Sequence, residues 1–446
     1  MGSLPVGDPT LSAKEIVGNE SQERMGMVIR EKDIEYVSKI AERERSPLYV
    51  VGETTGDDRF VFEQTDGVRP IDLAMADMFG NSPKTIMTDN TEVRTYKDVE
   101  YQDSKIEEYL RDVLSLEAVA CKDWLTNKVD RSVTGKVARQ QCQGELQLPL
   151  SDCGVVALDY RGHKGIATSI GHAPQIALAD SAKGSVMAIA EALTNIVGAP
   201  LKKGLESISL SANWMWPCKN QGEDAALYRA VEACSEFACA LGINIPTGKD
   251  SLSMTQKYGE DRVFAPGTVI ISAAGEVSDI RKTVSPVLRN SKSTLIYVDF
   301  SGDSLRLGGS AFAQSLNHIG SDAPTVKNVA QFAATFNAVQ RLVKRGSILA
   351  AHDISAGGLV TTLLEMAFAN TTGGIEINTD AFCAEGQNDL VKILFAENPA
   401  IVLQVADSSV DSAMKVLENA GAKAKIIGNT CKERVLLINH DGTQRL

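Results

Sequence analysis

The chain has 446 residues, of which 43% are hydrophobic and 23% charged, and it carries 8 cysteines. That length gives room for two to four domains with sizeable cores, and the composition is that of an ordinary soluble globular protein. A formal net charge of −12 argues against nucleic-acid or membrane-surface binding, which usually needs a basic patch, although local N–H groups and a bound cation still suit a phosphorylated ligand. No run reaches the roughly 18 apolar residues of a membrane span, and no signal-peptide core opens the chain. The cysteines stand singly, without a C-x-x-C pair, which fits reduced thiols in a cytosol.

Residues 1–75 mix helix and strand. Asp33 to Arg45 phases as a charged amphipathic helix, while Met25–Ile29 and Pro47–Gly52 read as strands. Residues 76–125 are polar and read as a connector, with helical phasing over Ile106–Leu114. Strands are expected near 153–158, 165–170, 207–213 and 267–275, and helices near 180–197 and 223–241. Cys234 and Cys239 fall in the second of these helices and read as packing residues. Ser285-Pro286 and Asn290–Ser293 mark a linker. From 294 onward strands and helices alternate. The last third, with strands at 400–406, 424–428 and 434–438 and a helix over 410–420, has a ferredoxin-like β-α-β-β pattern.

Three segments carry candidate chemistry. The run Ser347–His352 delivers Asp353 and Ser355 to a turn, and Gly357-Gly358 then opens an apolar helix. Free N–H groups at such a helix start suit phosphate, and an aspartate beside them suits Mg²⁺. The plainer alternative is a helix capped by Asp353 or Ser355. Glu191 and Asn195 stand four apart on one predicted helix and share a face, as hard-cation ligands or as a solvated pair. Ser151-Asp152-Cys153 opens a strand with an aspartate at its mouth. Gly248-Lys249-Asp250-Ser251 lacks an upstream glycine at Walker spacing, because Gly242 is one residue too distant, so a P-loop is excluded.

Seven motifs occur in one order: Asn19-Glu20-Ser21-Gln22-Glu23-Arg24, Asp130–Gly135, Ala190–Asn195, Ser211–Met215, Gly222–Ala225, Ile245–Met254 and His352–Leu359. Together they resemble the phosphoribosylformylglycinamidine synthase family in its large single-chain form, over nearly the whole chain. The resemblance implies an α+β fold of aminoimidazole ribonucleotide synthetase-like domains: a nucleotide-binding half with a mixed sheet and a ferredoxin-like C-terminal half. It implies the end of a first copy at 1–105, a second nucleotide-binding domain at 106–288, and its C-terminal partner at 289–446. The first copy's ATP-binding half, its histidine-rich catalytic segment and the glutaminase have no counterpart in the sequence. The chain therefore reads as an inactive fragment of a cytoplasmic, ATP-dependent C–N ligase with glutamine as amido donor.

By the same resemblance, this segment holds an auxiliary ATP/ADP site with Mg²⁺. Asp152, Glu191, Asn195 and Asp353 would be the metal ligands, and Ser151, Ser355, Gly357 and Gly358 would stand beside the nucleotide. Glu20, Ser21, Gln22, Lys249, Asp250 and Ser251 would serve the small-molecule substrate, and no catalytic residue is assigned. The implied partners are the rest of a longer polypeptide, including its glutaminase domain, and a second copy forming a homodimer. A non-catalytic nucleotide-binding scaffold and a related small-molecule kinase are the alternatives.

Overall fold

The computed structural model describes residues 2–18, 24–81, 84, 86–126 and 129–446, and its contacts divide the chain into two units, Met1–Ile86 and Met87–Leu446. The smaller unit is sparse. It has a helix at Ile34–Arg43 and an antiparallel ribbon pairing Arg59–Phe62 with Ile71–Ala74, and none of its helices contains a buried residue. The strands expected at Met25–Ile29 and Pro47–Gly52 do not form: Met25 is 91% exposed and Val50 60%. An apolar run becomes a strand only where another edge pairs its backbone groups. Glu20, Ser21 and Gln22 lie outside the described residues.

The larger unit opens with a sheet of β1 (Val137–Arg139), β2 (Gly154–Ala157), β3 (Gly165–His172), β4 (Ile208–Met215), β5 (Asn244–Ser251) and β6 (Thr268–Val277). Their order is β1-β2-β3-β6-β4-β5, antiparallel throughout except for the parallel β4–β5 edge pair. Burial along β3 alternates residue by residue, the period expected of a sheet with one covered face. Its inward side chains are small: Gly165, Ala167, Ser169 and Gly171. They let helix α1 (Ser181–Ile196) lie directly on the strand. A Cβ at Gly171 would stand 2.2 Å from the Ala188 carbonyl oxygen and 2.3 Å from the Ala192 nitrogen, so only glycine fits. Asp180 caps α1 by accepting from Ala182 and Lys183 N–H. The outward face of β3 leaves Ile166 45% and Ile170 56% exposed.

Helix α2 (Glu223–Leu241) runs beside α1 and ends at Gly242, whose φ of 70° closes the helix without strain. Cys234 is buried, as expected, but Cys239 is exposed. Five residues turn a helix by about 140° beyond one full turn, which takes Cys239 off the buried face.

The second sheet contains β7 (Ser293–Asp299), β8 (Ala350–Asp353), β9 (Gly374–Asn378), β10 (Ala400–Ala406), β11 (Lys423–Cys431), β12 (Leu436–His440) and β13 (Thr443–Gln444), in the order β8-β10-β7-β11-β9-β12-β13. Helix α3 (Val329–Arg345) joins β7 to β8, and another helix, Val410–Glu418, joins β10 to β11. With antiparallel order β8-β10-β7-β11, this is the ferredoxin-like arrangement. An insertion between β8 and β10 holds α4 (Gly358–Phe368), β9 and α5 (Leu390–Phe395), and β9 extends the sheet beyond β11. All but the last residue of β10 is buried, which explains why every residue but Gln404 is apolar; the Gln404 amide donates to the Arg289 carbonyl and to Ser293 Oγ.

One apolar cluster spans both sheets, from Val155 and Leu193 through Phe237 and Phe332 to Leu403. Phe237 of α2 meets Phe332 of α3 edge-on, with ring centroids 5.8 Å apart. Each such side chain, fully buried, contributes about 1.5–3 kcal/mol. The expected linker is itself partly buried, at Ser285 and Ser293. The helix Ile106–Ser115 packs Ile106, Tyr109 and Val113 against Leu295, Phe312 and Phe395 of the C-terminal half.

Candidate functional site

Strand β8 carries His352 and Asp353 into the interior, held in register by pairing with Val402 and Ile401 of β10. The turn ahead of β2 brings Asp152 to them. His352 Nδ1 lies 2.7 Å from Asp152 Oδ1 and 3.5 Å from Asp353 Oδ1. On the far side of the ring, Nε2 is 3.0 Å from Glu365 Oε2, on α4. The 2.7 Å approach is close but poorly aligned, since Nδ1 makes no hydrogen bond, and Asp353 Oδ2 likewise has no partner. The contact is therefore mainly Coulombic. Asp152, His352 and Asp353 offer ligand atoms within 4.8 Å of one another.

Helix α1 brings Glu191 toward this group. Its Oε2 accepts the His172 N–H at 2.6 Å, and Asn195 Nδ2 donates to the Ile170 carbonyl at 2.9 Å. The four-residue spacing thus docks the helix on β3 and leaves one side-chain oxygen of each residue outside these two bonds. The Glu191 charge acts on both Asp353 and Glu397. Glu397 was not anticipated from sequence: its Oε1 accepts from both Gly357 N–H and Ala311 N–H, each at 2.8 Å.

Glu397 corrects the capping alternative. Neither Asp353 nor Ser355 caps α4 through its side chain; a carboxylate from the loop before β10 takes the Gly357 N–H instead. The glycines also serve packing. Gly357 and Gly358 have φ of 93° and 72°, and a Cβ on Gly358 would stand 2.6 Å from the Leu394 carbonyl oxygen of α5. Ser355 is half-buried, and its carbonyl accepts the Gly358 N–H.

This interior gathers several titratable groups. Desolvation pushes Glu191 and Glu397 up to about 7. Desolvation also raises Asp353 well above the ordinary carboxylate range, reinforced by the Asp152 charge and opposed by His352. Asp152 is raised by burial, with His352 pulling the other way. Burial disfavours a charged His352, but the carboxylates of Asp152 and Glu365 outweigh it and hold the imidazole protonated well above its usual range. A histidinium wedged among the carboxylates thus offsets one of their charges.

Asp152 and Ser151 also line a groove of about 800 Å³ on the uncovered face of the first sheet, together with Arg139, Ser209, Ser211 and Thr247. That volume suits a small-molecule ligand. Ser151 Oγ itself donates to the Cys153 carbonyl at 3.0 Å. Lys249, Asp250 and Ser251 do not join this group. They lie on β5, the outer edge, where Lys249 donates to Ser251 Oγ. Four strand spacings, about 19 Å, separate β5 from β2. Sequence reasoning also passed over His352 and Glu365; the neighbouring Asp353 was a cue for the first, whereas Glu397 had none.

Residues 121–276 match the FGAR-AT PurM_N-like domain, and residues 295–438 match the AIR synthase related protein, C-terminal domain. Phosphoribosylformylglycinamidine synthase of Homo sapiens is 38% identical over 444 residues, 95% of this chain and 33% of its own length. That of Dictyostelium discoideum is 38% identical over 442 residues, 95% of this chain and 32% of its own. The chain thus spans about a third of the length of these curated relatives. Among solved structures, T. maritima PurL complexed with FGAR aligns at TM-score 0.58 and 14% identity, over 76% of this chain and 52% of that one. The same protein complexed with ATP aligns at 0.55 and 14%, over 76% and 50%. These structural likenesses show the α+β synthetase-like fold. No helix among the described residues is long and apolar enough to cross a membrane. The chain therefore carries an FGAR-AT PurM_N-like domain followed by an AIR synthase-related C-terminal domain, and along nearly its whole length it resembles a one-third segment of the phosphoribosylformylglycinamidine synthases.

Proposed function

We propose that this chain is the nucleotide-holding segment of an ATP-dependent ligase of purine synthesis. The whole enzyme would convert formylglycinamide ribonucleotide, glutamine and ATP to formylglycinamidine ribonucleotide, glutamate, ADP and phosphate. This segment would retain ADP or ATP with Mg²⁺ and would have no turnover of its own. The 38% identity to the two synthases supports the reaction. The observation that carries the local role is the buried carboxylate group, with Asp353 Oδ2 left without a partner.

The residues fit Mg²⁺. Asp152, Asp353, Glu191 and the side-chain oxygen of Asn195 are hard oxygen donors, and desolvation of the carboxyls leaves them short of positive charge. Bound there, Mg²⁺ would neutralise phosphate oxygens. The chain's own part is to fix these donors on rigid strands and one helix. With Glu397 already on the Gly357 N–H, phosphate would gain little from the helix start, so the metal must supply the attraction. Ser151 and Ser355 would border the nucleotide. Glu20, Ser21, Gln22, Lys249, Asp250 and Ser251 would serve the ribonucleotide substrate.

Nucleotide held this way should depend on the metal. Protein purified in Mg²⁺, then denatured and analysed by mass spectrometry, is expected to release ADP or ATP. The same protein dialysed against EDTA should release at least tenfold less. Equal nucleotide content in both samples, or none in either, refutes the assignment.

A second copy of the chain is the partner we propose for the uncovered face of the first sheet, because Ile166 and Ile170 stand exposed on β3 between small and hydroxylic neighbours. Light scattering at micromolar concentration should give twice 47.8 kDa. A stable 47.8 kDa species refutes the dimer.

A further inference from the structure

The outer edge of the second sheet brings together three other chemistry-bearing groups, far in sequence from the first cluster's aspartates. Cys383 ends the short helix Asp380–Cys383, His440 ends β12, and Asp441 begins the turn into β13. Their sulfur, nitrogen and oxygen ligand atoms lie within 4.8 Å of one another. The local sequence explains half of this. Asp441-Gly442 is a two-residue hairpin loop with His440 paired to Thr443, and its residues have φ of 51° and 67°. Positive φ at both positions is what a type I′ turn requires, and Asp-Gly is a preferred pair for it. The turn therefore holds the Asp441 carboxylate beside the imidazole of the preceding residue.

Thr379 fixes that imidazole. Its hydroxyl donates to the Asn439 carbonyl at 3.2 Å and lies 2.7 Å from His440 Nδ1. A hydroxyl has one proton, so with that proton on the carbonyl the Nδ1–H is the donor in the second contact. The Nε2 lone pair is then left facing Asp441. Nε2 stands 3.5 Å from Asp441 Oδ2, and no hydrogen bond joins them. Nitrogen and oxygen ligands on one tetrahedral zinc ion are about 3.4 Å apart, given zinc–ligand distances of about 2.0–2.2 Å. A histidine whose other ring nitrogen donates to a buried protein oxygen is the arrangement that orients a metal ligand. Thr379 is fully buried, and its own carbonyl receives the Cys383 N–H at 3.3 Å, so one residue ties two of the three ligands together.

We infer that Cys383, His440 and Asp441 form a zinc-binding site, with thiolate, neutral imidazole and carboxylate as three ligands and water as the fourth. The two negative charges balance Zn²⁺, and the sulfur and nitrogen donors disfavour Mg²⁺. Metal binding displaces the proton from sulfur. This site shares no residue with the Asp152–Asp353 group, which contains no sulfur ligand.

Cobalt(II) separates the two, because only a thiolate ligand gives an intense sulfur-to-cobalt charge-transfer band. Titrating the metal-stripped protein with Co²⁺ should produce that band at one equivalent, and Zn²⁺ should abolish it. Cys383→Ser should remove the band while leaving the melting temperature in EDTA unchanged. Asp441→Asn, at an exposed hairpin position, should keep a band but bind at least tenfold more weakly. A band that survives in Cys383→Ser overturns the site, as does the absence of any band at a thousandfold excess of Co²⁺.

Discussion

Asp353→Asn should make the metal-free protein more stable and at the same time abolish its stabilisation by Mg²⁺ and ADP. The native carboxylate is 3% exposed, one of its oxygens has no partner, and the Asp152 charge opposes its ionisation. A buried carboxyl whose ionisation is this disfavoured must take up a proton or lose its hydration on folding, and an amide of the same shape does neither. In the wild-type protein, ligand at a hundred times its dissociation constant would add about 2.7 kcal/mol. The variant should gain nothing, because an amide offers the metal one weak neutral oxygen in place of a carboxylate. Thermal unfolding of both proteins, in EDTA and in Mg²⁺ with ADP, gives four midpoints. The metal reading fails if the variant melts lower in EDTA and still shows the wild-type shift.

The second large effect is with pH. Glu191 and Glu397 ordinarily titrate at 4.5, and burial raises both to about 7 in the folded protein. Between those values the folded state binds more protons than the unfolded state. The stability that protonation provides is complete below 4.5 and is lost as pH rises through 7. Each carboxyl accounts for roughly 3 kcal/mol across that window. His352, also raised, works in the same direction at higher pH. The metal-free protein should therefore melt progressively lower from pH 5 to pH 7.5. With Mg²⁺ and ADP bound the carboxylates are already ionised and balanced, so the slope should flatten. Glu397→Gln should flatten it in part without ligand. A metal-free melting temperature that is constant or rising over this range contradicts the desolvated cluster.

The elements that sequence made legible share one property: each buries a face whose period is written in the chain. Helix α1, with its alanine-rich stripe and Asp180 cap, and β10, apolar but for Gln404, fall within a residue or two of expectation. The expected strands near Met25 and Pro47 failed because hydrophobicity marks a strand only when a partner edge exists, and pairing is not a local property. The site divides in the same way. Asp353 and Glu191 announced themselves by motif and spacing. Glu397 could not, because its role arises from a loop folding back onto two helix starts. Lys249 to Ser251, weighed against a phosphate loop and rejected on glycine spacing, lie in an edge strand. Gly248 is there because a Cβ would stand 2.1 Å from the Ala212 carbonyl oxygen.

The carboxylate cluster also bears on the order of events during folding. Its members come from the mouth of β2, from α1, from the end of β8 and from the loop before β10, so they span the chain from Asp152 to Glu397. None of them meets another until strands distant in sequence have paired, and closing such long loops is the slow part of assembling a sheet-rich chain. Mutual repulsion gives the group no reason to gather early. It assembles only when both sheets and the apolar layer between them are complete, so a cation bound there would arrive late and report finished folding.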